Sequence, residues 1–427
     1  MGQPPFPASL DVGALLASGW KPYAFHQFIL KIHSRCDLAC RHCYVYEMAD
    51  QGWRDQPRRM SESIVDRVAL RIGEHVMAHE LTEVDVILHG GEPLLAGPGF
   101  IAYAVRAIRR AMDTGSRVNV SIQTNGLRLD DTFLRLFDQL GIRVGVSLDG
   151  DAQAHDRHRL FRDGRGSHAQ VVDSLRGLAS GPYHHLFSGL LCTIDVRNDP
   201  VRTYEALLAF DPPAVDFLLP HGNWSTPPPF READSAATPY ADWLMAVFDR
   251  WYGPAETEVR LFTEILRLLT GRPSRSESIG LSPALMAVVE TDGSIEQSDI
   301  LKSAYHGAAA TRLHVLSHPF DAALTLPSLV ARQIGKGALS ETCHKCEIVS
   351  VCGGGLYAHR YDDNAGFLNP SVYCPDLYRL IVHIAGALGA DLARLRGRVA
   401  QIDWGSKSQL IRTPRAASTA SGCPLPF

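Results

Sequence analysis

Three cysteines near the start of the chain constrain its fold and chemistry more than any other feature. They are Cys36, Cys40 and Cys43, in the spacing Cys-x3-Cys-x2-Cys. Three thiolates can hold three irons of a cubane [4Fe–4S] cluster and leave the fourth iron open to a small molecule. A zinc site completed by His42 or His33 is the alternative, although zinc favours pairs of cysteines two residues apart. The spacing therefore favours an iron–sulfur cluster with one open iron.

A second group of cysteines lies towards the other end of the chain: Cys343, Cys346, Cys352 and Cys374. Four thiolates suffice to close a [4Fe–4S] cluster, or to hold a structural zinc ion in a tetrahedral site. The spacing alone does not separate these two possibilities. The other two cysteines stand apart: Cys192 lies in an apolar run, as a small buried hydrophobic residue would, and Cys423 lies in an irregular tail.

Composition and charge exclude several classes of protein. The chain has 427 residues, of which 45% are hydrophobic and 21% charged, and its net charge of -4 gives no reason to expect nucleic acid. No apolar run is long enough to span a bilayer. The first twenty residues contain three prolines and no Lys or Arg, unlike a secretory signal peptide. We therefore expect a cytoplasmic protein, in which clustered cysteines bind metal.

Apolar runs alternate with helical stretches along the first half of the chain. Six runs are predicted to be strands: Phe25–His33, Val84–His89, Val118–Gln123, Val144–Leu148, Leu186–Ile194 and Val215–Leu219. Ser61 is placed to cap the helix after the first strand, and Gly141 to end a helix over Asp131–Leu140. This spacing suits βαβ units and a parallel sheet. The predicted fold class is α/β, with a partial (β/α)6 barrel rather than the full eight units.

The predicted domain boundaries follow from changes in composition. The expected parts are an N-terminal extension (1–24), the partial barrel (25–221), a linker and helical connection (222–287), a small domain carrying the second cysteine group and a helix (288–397), and a poorly ordered tail (398–427). Within the small domain, a hairpin is predicted to turn at Asp292-Gly293.

Polar residues and glycines follow the predicted strands where a barrel of this kind has its site. The candidates are Gly90, Gly91, Glu92, Asn125, Ser147 and Arg159. Because the loops at the carboxyl ends of the strands form the site, these residues should lie near the first cysteine group. Glycines allow the backbone to approach a ligand, and an acidic residue suits an ammonium group. Each motif alone is no more than a turn, but the ordered set predicts a binding site.

With these motifs, residues 25–221 resemble the radical S-adenosylmethionine (SAM) superfamily. The resemblance implies that SAM chelates the open iron through its amino and carboxylate groups. It also implies that Gly90, Gly91 and Glu92 contact the methionyl amine. The contacts to other polar groups of SAM are then expected from Asn125, Ser147 and Arg159. One position departs from the family pattern, because His42 stands where an aromatic residue is usual.

Residues 288–376 resemble the SPASM domain of radical SAM peptide-modifying enzymes, which usually holds two auxiliary clusters. Three of the required cysteines are missing here. Ser298 stands at one ligand position and Leu356 at another, and no cysteine precedes Gly293 at a suitable distance. The resemblance therefore implies one auxiliary [4Fe–4S] cluster on the second cysteine group. The space of the missing cluster is predicted to be open to a peptide substrate.

Three segments narrow the resemblance further: Cys43–Trp53, Glu290–Lys302 and Cys352–Tyr361. They look like the cyclophane-forming radical SAM/SPASM maturases. By that resemblance, the substrate is a ribosomally made precursor peptide, and the product joins an aromatic ring to the β-carbon of a residue two positions later. The short N-terminal extension is too small for a winged-helix leader-binding domain, so the leader should bind the barrel and SPASM surface or a separate partner.

The expected chemistry requires an electron donor and a base. One electron, from a donor such as flavodoxin or ferredoxin, cleaves SAM to a 5′-deoxyadenosyl radical, which removes a β-hydrogen from the peptide. After ring addition, the auxiliary cluster would accept one electron and a base one proton. Asp299 and Glu296 are the candidate bases, although both could be solvated turn carboxylates.

Other functions stay open on the sequence. Within the superfamily they are thioether formation, epimerisation, and oxidation of a cysteine or serine as in sulfatase maturation. Outside it, the chain could be a zinc-stabilised peptide-binding protein without radical chemistry. Sulfatase maturases usually carry the complete second auxiliary site, so the absence of its cysteines favours the cyclophane prediction.

Overall fold

The computed structural model describes residues 6–112, 115–231, 235 and 237–400. Its strands form one sheet in the order β10-β9-β8-β1-β2-β3-β4-β5-β6-β7. The barrel part contributes seven neighbouring parallel strands: β1 Gln27–His33, β2 Glu83–Gly90, β3 Arg117–Thr124, β4 Ile142–Ser147, β5 Phe187–Thr193, β6 Ala214–Leu218 and the two-residue β7 Glu258–Val259. The first six begin and end within two residues of the predicted strands, and the predicted partial barrel is confirmed.

The described chain also forms these helices: α1 Val12–Ala17, α2 Glu62–Ala78, α3 Pro98–Ala111, α4 Asp131–Leu140, α5 Ala152–His155, α6 His168–Ala179, α7 Pro200–Leu208, α8 Pro239–Trp251, α9 Arg260–Leu269, α10 Pro327–Val330, α11 Glu341–His344, α12 Val349–Cys352 and α13 Cys374–Ala400. Ser61 accepts a hydrogen bond from the backbone of Ile64 and caps α2. Gly141 ends α4 in the left-handed conformation, with φ 56°. Both local predictions are confirmed, because each depends on neighbouring residues alone.

Alternate side chains of β1 face opposite layers, as the pleat of a strand requires. Phe28 and Leu30 pack into the main hydrophobic core with the helices. Ile29 lies between them on the strand and packs on the other face, with Ile87 and Val288, in a small cluster of its own. All three residues of β1 are fully buried. The strand is therefore apolar on both faces, which explains why the sequence shows a continuous apolar run there.

The C-terminal region continues the barrel sheet. The hairpin predicted at Asp292-Gly293 is formed by β8 Met286–Val289 and β9 Ser294–Glu296, with β10 Ala310–His314 antiparallel beyond them. The strand β8 pairs in parallel with β1, from Gln27 opposite Met286 to Leu30 opposite Val289. One sheet therefore joins the barrel to the second cysteine region. The sequence pattern predicts the hairpin but carries no sign of this pairing.

The amino end of the described chain packs on the C-terminal region. Phe6 lies in a hydrophobic cluster with Tyr357 and Phe367, and its carbonyl accepts a hydrogen bond from the backbone of Phe367. At the other end, α13 continues to Ala400, three residues into the segment predicted as a tail. Residues 401–427, including Cys423, lie outside the described residues. In the described part of the chain, no helix combines the length and apolar character that crossing a membrane requires.

Candidate active site

A cavity of about 610 Å³ lies within the partial barrel, and the first cysteine group is in its wall. Cys36, Cys40 and Cys43 all line it. Its wall also includes Gln27, from the amino end of β1, and Ser147, from the carboxyl end of β4. The cavity therefore extends along the strands and has room for more than a small cofactor. The cysteines lie at the carboxyl ends of the strands, where the sequence predicts the site.

Backbone hydrogen bonds hold the cysteine loop against the segment that follows α5. The amide of Ala39 donates to the carbonyl of Leu160 at 2.8 Å, and the amide of Arg41 donates to His158 at 3.0 Å. Both donors flank Cys40, so this cysteine sits on a braced stretch of chain. Burial raises the pKa of the Cys40 thiol to about 12, and the nearby Arg159 guanidinium opposes the rise. Thiols in such a setting need strong positive charge, such as cluster iron, to become thiolates, which fits a metal-binding role.

Gly90 and Gly91 allow the end of β2 to pack directly on the start of this loop. The amide of Gly91 donates to the carbonyl of His33 at 2.8 Å. A Cβ on Gly90 would lie 2.1 Å from that same carbonyl oxygen, and a Cβ on Gly91 would lie 1.8 Å from the Tyr46 hydroxyl. No other residue type fits without moving the loop. Both glycines line the cavity, so the predicted close approach of backbone to a ligand remains available.

Glu92 is engaged by the protein itself. Its carboxylate accepts hydrogen bonds from the backbone amides of Leu94 and Asn125 and from the Thr124 hydroxyl, at 2.8–2.9 Å. The residue is only 1% exposed and is outside the cavity wall. Burial raises the pKa of Glu92 to about 7, although these hydrogen bonds oppose the rise. The side chain therefore ties the end of β2 to the end of β3, and its predicted contact with the SAM amine stays a prediction.

The other three predicted contacts, Asn125, Ser147 and Arg159, line the cavity. The Asn125 amide donates to Asp37 at 2.9 Å and lies 3.6 Å from the Cys36 sulfur. The Arg159 guanidinium forms a bidentate pair with Asp149, at 2.7 and 3.1 Å. Burial alone would raise the pKa of Asp149, but Arg159 outweighs it and lowers that pKa to about 2. Arg159 thus has a carboxylate partner within the protein, whereas the sequence predicted one on SAM.

The sequence reasoning missed a group of imidazole and phenol side chains in the same wall. His42 lies with its ring centroid 5.4 Å from that of His158, and Tyr44 lies 4.9 Å from His221. His221 follows the end of β6, and its ring centroid lies 6.0 Å from that of His359. These two rings therefore connect the barrel to the C-terminal region. Burial lowers the pKa of His42 to about 3 and that of His221 to about 4, which keeps both rings neutral. Only His42 had a sequence signal, as a departure from the family pattern.

Asp299 and Glu296 belong to a buried cluster of two lysines and three carboxylates, called here the lysine–carboxylate cluster: Lys31, Glu290, Glu296, Asp299 and Lys302. Lys31 of β1 contacts Asp299 at 2.6 Å, and Lys302 contacts Glu296 at 2.9 Å and also pairs with Glu290. Asp299 is fully buried. The alternative of solvated turn carboxylates is therefore wrong for Asp299, because it lies beneath the hairpin against the barrel.

Within this cluster the two candidate bases differ in charge. Burial would raise the pKa of Asp299, but Lys31 and Lys302 outweigh it and hold that pKa below its ordinary value. Burial raises the pKa of Glu296 to about 8, against the opposing effect of Lys302. At neutral pH, Asp299 is thus ionised and Glu296 is mostly protonated. Neither residue is in the cavity wall, which includes their neighbour His89 and the nearby Tyr44.

The second cysteine group lies where two short helices, α11 and α12, meet the start of the long helix α13. Cys343 is in α11, Cys352 ends α12 and Cys374 begins α13. Burial raises the pKa of Cys352 to about 12, and the nearby Cys374 and Cys343 raise it further. The Arg360 guanidinium donates to the carbonyls of the three glycines after Cys352, at 2.6–3.1 Å. This contact fixes the turn that leads away from the cysteines.

The two replaced ligand positions of the missing auxiliary cluster differ, because Ser298 is buried in protein and Leu356 lines the cavity. Ser298 is fully buried and its hydroxyl lies 3.5 Å from the Glu277 carboxylate. Glu277 in turn pairs with Arg332 at 2.5 Å, and the Arg332 side chain is only 1% exposed. A cavity of about 30 Å³ remains beside them. Glu277 and Leu356 also line the cavity of about 610 Å³, so the prediction that this space is open to a peptide stays a prediction.

Comparisons with known proteins agree with this arrangement. Residues 30–194 match the family described as the Radical SAM superfamily. The Serine-type anaerobic sulfatase-maturating enzyme of Klebsiella aerogenes is 25% identical over 358 residues, which are 81% of this chain and 82% of that enzyme. The Cysteine-type anaerobic sulfatase-maturating enzyme of Clostridium novyi is 20% identical over 347 residues, which are 80% of this chain and 90% of that enzyme.

Solved structures share the fold. Native anSMEcpe with bound AdoMet and Cp18Cys peptide superposes with a TM-score of 0.73 and 19% identity, over 87% of this chain and 99% of that one. Streptococcus suis SuiB bound to precursor peptide SuiA gives a TM-score of 0.53 and 12% identity, over 85% and 78%. The cysteine loop, the glycine-lined strand end and the cavity lie together in the matched region. Residues 30–194 therefore form a radical SAM domain, and the chain is a radical SAM enzyme that uses S-adenosylmethionine and an iron–sulfur cluster.

Proposed function

We propose that this enzyme oxidises a precursor peptide at a β-carbon and joins that carbon to a nearby aromatic ring, forming a cyclophane. The observation that carries the proposal is the cavity of about 610 Å³, which has the three cysteines in its wall and extends along the strands. Its volume suits several residues of a peptide beside a cofactor. The names of similar proteins refer to peptide and sulfatase modification, which supports the substrate class.

The protein's own groups supply the rest of the reaction. When bound at Cys36, Cys40 and Cys43, the cluster and SAM supply a 5′-deoxyadenosyl radical that takes one hydrogen atom from the peptide. After the carbon radical adds to the ring, one electron and one proton must leave. Cys343, Cys346, Cys352 and Cys374 would hold an auxiliary cluster, which would supply an acceptor for the electron. The proton needs an acceptor that is not already protonated at neutral pH.

Asp299 is our candidate for that acceptor. It is ionised, and its negative charge acts to raise the pKa of two side chains that line the cavity, Tyr44 and His89. Since Asp299 itself lies outside the wall, the proton would reach it through one of these side chains. Glu296 is the weaker candidate, because its raised pKa leaves it protonated at neutral pH.

The proposed function is tested by anaerobic co-expression of the enzyme with the precursor peptide encoded beside its gene. The expected result is a peptide lighter by two hydrogens per modified motif, with no backbone fragmentation between the two joined residues. The product should not react with hydroxylamine. Unchanged peptide mass, while SAM is still cleaved to 5′-deoxyadenosine, would contradict the proposal for that peptide.

Oxidation of a serine or cysteine is the second candidate, favoured by the similarity to sulfatase-maturating enzymes over about four fifths of the chain. Oxidation of serine to an aldehyde also removes two hydrogens, so the mass change alone does not separate the two reactions. An aldehyde reacts with hydroxylamine and leaves the peptide backbone free to fragment at every position. A hydroxylamine adduct on the product would therefore support serine oxidation and contradict cyclophane formation.

Asp299→Asn is expected to lower the yield of modified peptide by about 100-fold, the lower range for loss of a general base. Cleavage of SAM to 5′-deoxyadenosine should continue, because proton acceptance follows hydrogen abstraction. The matched variant is Glu296→Gln, whose carboxamide replaces a carboxyl group that is already protonated. It should change the yield by less than about threefold. Full product formation by Asp299→Asn would exclude the acceptor role, and parallel loss of iron would indicate a structural one.

A further inference from the structure

The loop that carries the first cysteine group is also part of the protein surface. Ala39 and Arg41, on either side of Cys40, are both exposed, while the cysteines line the cavity. The loop packs on the segment after α5, where Phe161 is partly exposed. A single loop therefore separates the cluster position from solvent at this point. An electron delivered here would cross very little protein.

Four exposed arginines surround these residues: Arg41, Arg128, Arg162 and Arg165. We call this group, with Ala39 and Phe161 at its centre, the arginine surface. Arg165 lies over the Phe161 ring, with its guanidinium carbon 5.3 Å from the ring centroid. Arg162 donates to the carbonyl of Cys36 at 3.3 Å, which joins the surface directly to the cysteine loop.

The arginine surface is positive, whereas the chain as a whole has a net charge of -4. Two carboxylates compensate part of its charge: Asp37 pairs with Arg128 at 2.9 Å, and Asp163 pairs with Arg165 at 2.8 Å. Among the residues that the structure describes, Arg41 and Arg162 have no carboxylate within ion-pair distance. The positive charge is thus local to the cysteine loop. A field of this kind attracts and orients an acidic partner.

We propose that the arginine surface is the docking site for a small acidic electron-transfer protein of the flavodoxin or ferredoxin class. The proposal needs only that the chain is a radical SAM enzyme, and it is independent of the cyclophane proposal. The reduced donor loses one electron, which passes through the cysteine loop to the cluster. That electron cleaves one SAM to methionine and a 5′-deoxyadenosyl group. The apolar centre and the positive rim match the usual anatomy of a transient interface.

The test compares a protein donor with a chemical one. The variant is Arg41→Glu/Arg165→Glu in the iron-loaded enzyme, and the readouts are the Kd for oxidised flavodoxin, which should rise in the variant, and the rate of 5′-deoxyadenosine formation. With reduced flavodoxin at low ionic strength, we expect the rate to fall by about tenfold or more, since reversal of rim charges slows association. With dithionite, which needs no docking site, the rate should stay within about twofold of the unaltered enzyme. The defect should shrink as salt screens the charges.

Two matched variants sharpen the test. Arg41→Lys/Arg165→Lys keeps the charge and should keep most of the flavodoxin-driven rate. Arg106→Glu/Arg110→Glu makes the same charge change on exposed positions of α3 and should have little effect. Equal loss in the α3 variant would overturn the proposal, because general charge would then explain the defect. Equal loss with flavodoxin and dithionite would also overturn it, because the surface would then serve the cysteine loop or the peptide and not the donor.

Discussion

Replacing Cys40 with alanine is expected to abolish the cleavage of SAM. The variant leaves two thiolates in the first group, and a cubane cluster with an open iron needs three. The loss should exceed the about 10–100-fold that removal of a partner in the second coordination sphere costs. The measurement is 5′-deoxyadenosine formation with dithionite under anaerobic conditions, together with iron content per chain. Iron should fall by the amount of one cluster, while iron on the second cysteine group remains.

The matched control is Cys192→Ala. Cys192 is a buried residue of β5, 1% exposed, which belongs to the main core and lies outside the cysteine loop. Its truncation should cost about 1 kcal/mol of stability and leave iron content and SAM cleavage intact. Retention of full activity in Cys40→Ala would contradict the assignment of this loop as the cluster site. Loss of activity in both variants would show that the assay reports folding and not ligation.

Lys302→Met is expected to produce the largest loss of stability. The Lys302 ammonium contacts Glu296 at 2.9 Å and Asp299 at 3.9 Å and also pairs with Glu290, and all of these groups are largely buried. Without it, Lys31 is the one remaining cation of the lysine–carboxylate cluster, beside the ionised Asp299 and the carboxyl groups of Glu290 and Glu296. Removal of one partner from a buried ion pair costs about 3–5 kcal/mol. The free energy of unfolding from urea titration measures this loss directly.

The control for this prediction is Lys345→Met. Lys345 pairs with Glu341 at 3.4 Å, but both side chains are largely exposed, at 79% and 91%. An exposed pair of this kind contributes at most about 0.5 kcal/mol. If the two variants lost similar stability, the lysine–carboxylate cluster would not join the hairpin to the barrel as we describe. A loss confined to Lys302→Met would show that burial, and not the number of charges, sets the cost.

Some of the features behind these predictions could be predicted from the sequence, and others could not. The strand positions, the cap at Ser61 and the end of α4 at Gly141 follow from apolar runs and turn residues within a few positions. Local propensity decides such features, so the sequence predicted them closely. The cysteine spacing was equally local and led to the cluster assignment. The motif glycines after β2 also lie where expected, against the cysteine loop.

Contacts between distant segments could not be predicted from the sequence pattern. Nothing in the hairpin indicates that β8 pairs with β1, because the apolar run of each strand suits many neighbours. The missing auxiliary cysteines could be read from the sequence, but the Glu277–Arg332 pair beside Ser298 could not. The sequence could show that ligands were absent. Only packing in three dimensions decides whether the space is open or closed.

The candidate bases show the same difference between features that are local in the sequence and contacts that form only in the folded chain. The sequence by itself determined that this chain has a cysteine loop for an open-iron cluster, on a barrel of six parallel strands, and that Asp299 and Glu296 follow a turn. The tertiary structure decided that Asp299 meets Lys31, that Arg159 meets Asp149, and that Glu92 is surrounded by backbone donors. The charge state of a carboxylate depends on burial and on partners from remote parts of the chain. No local pattern contains those partners.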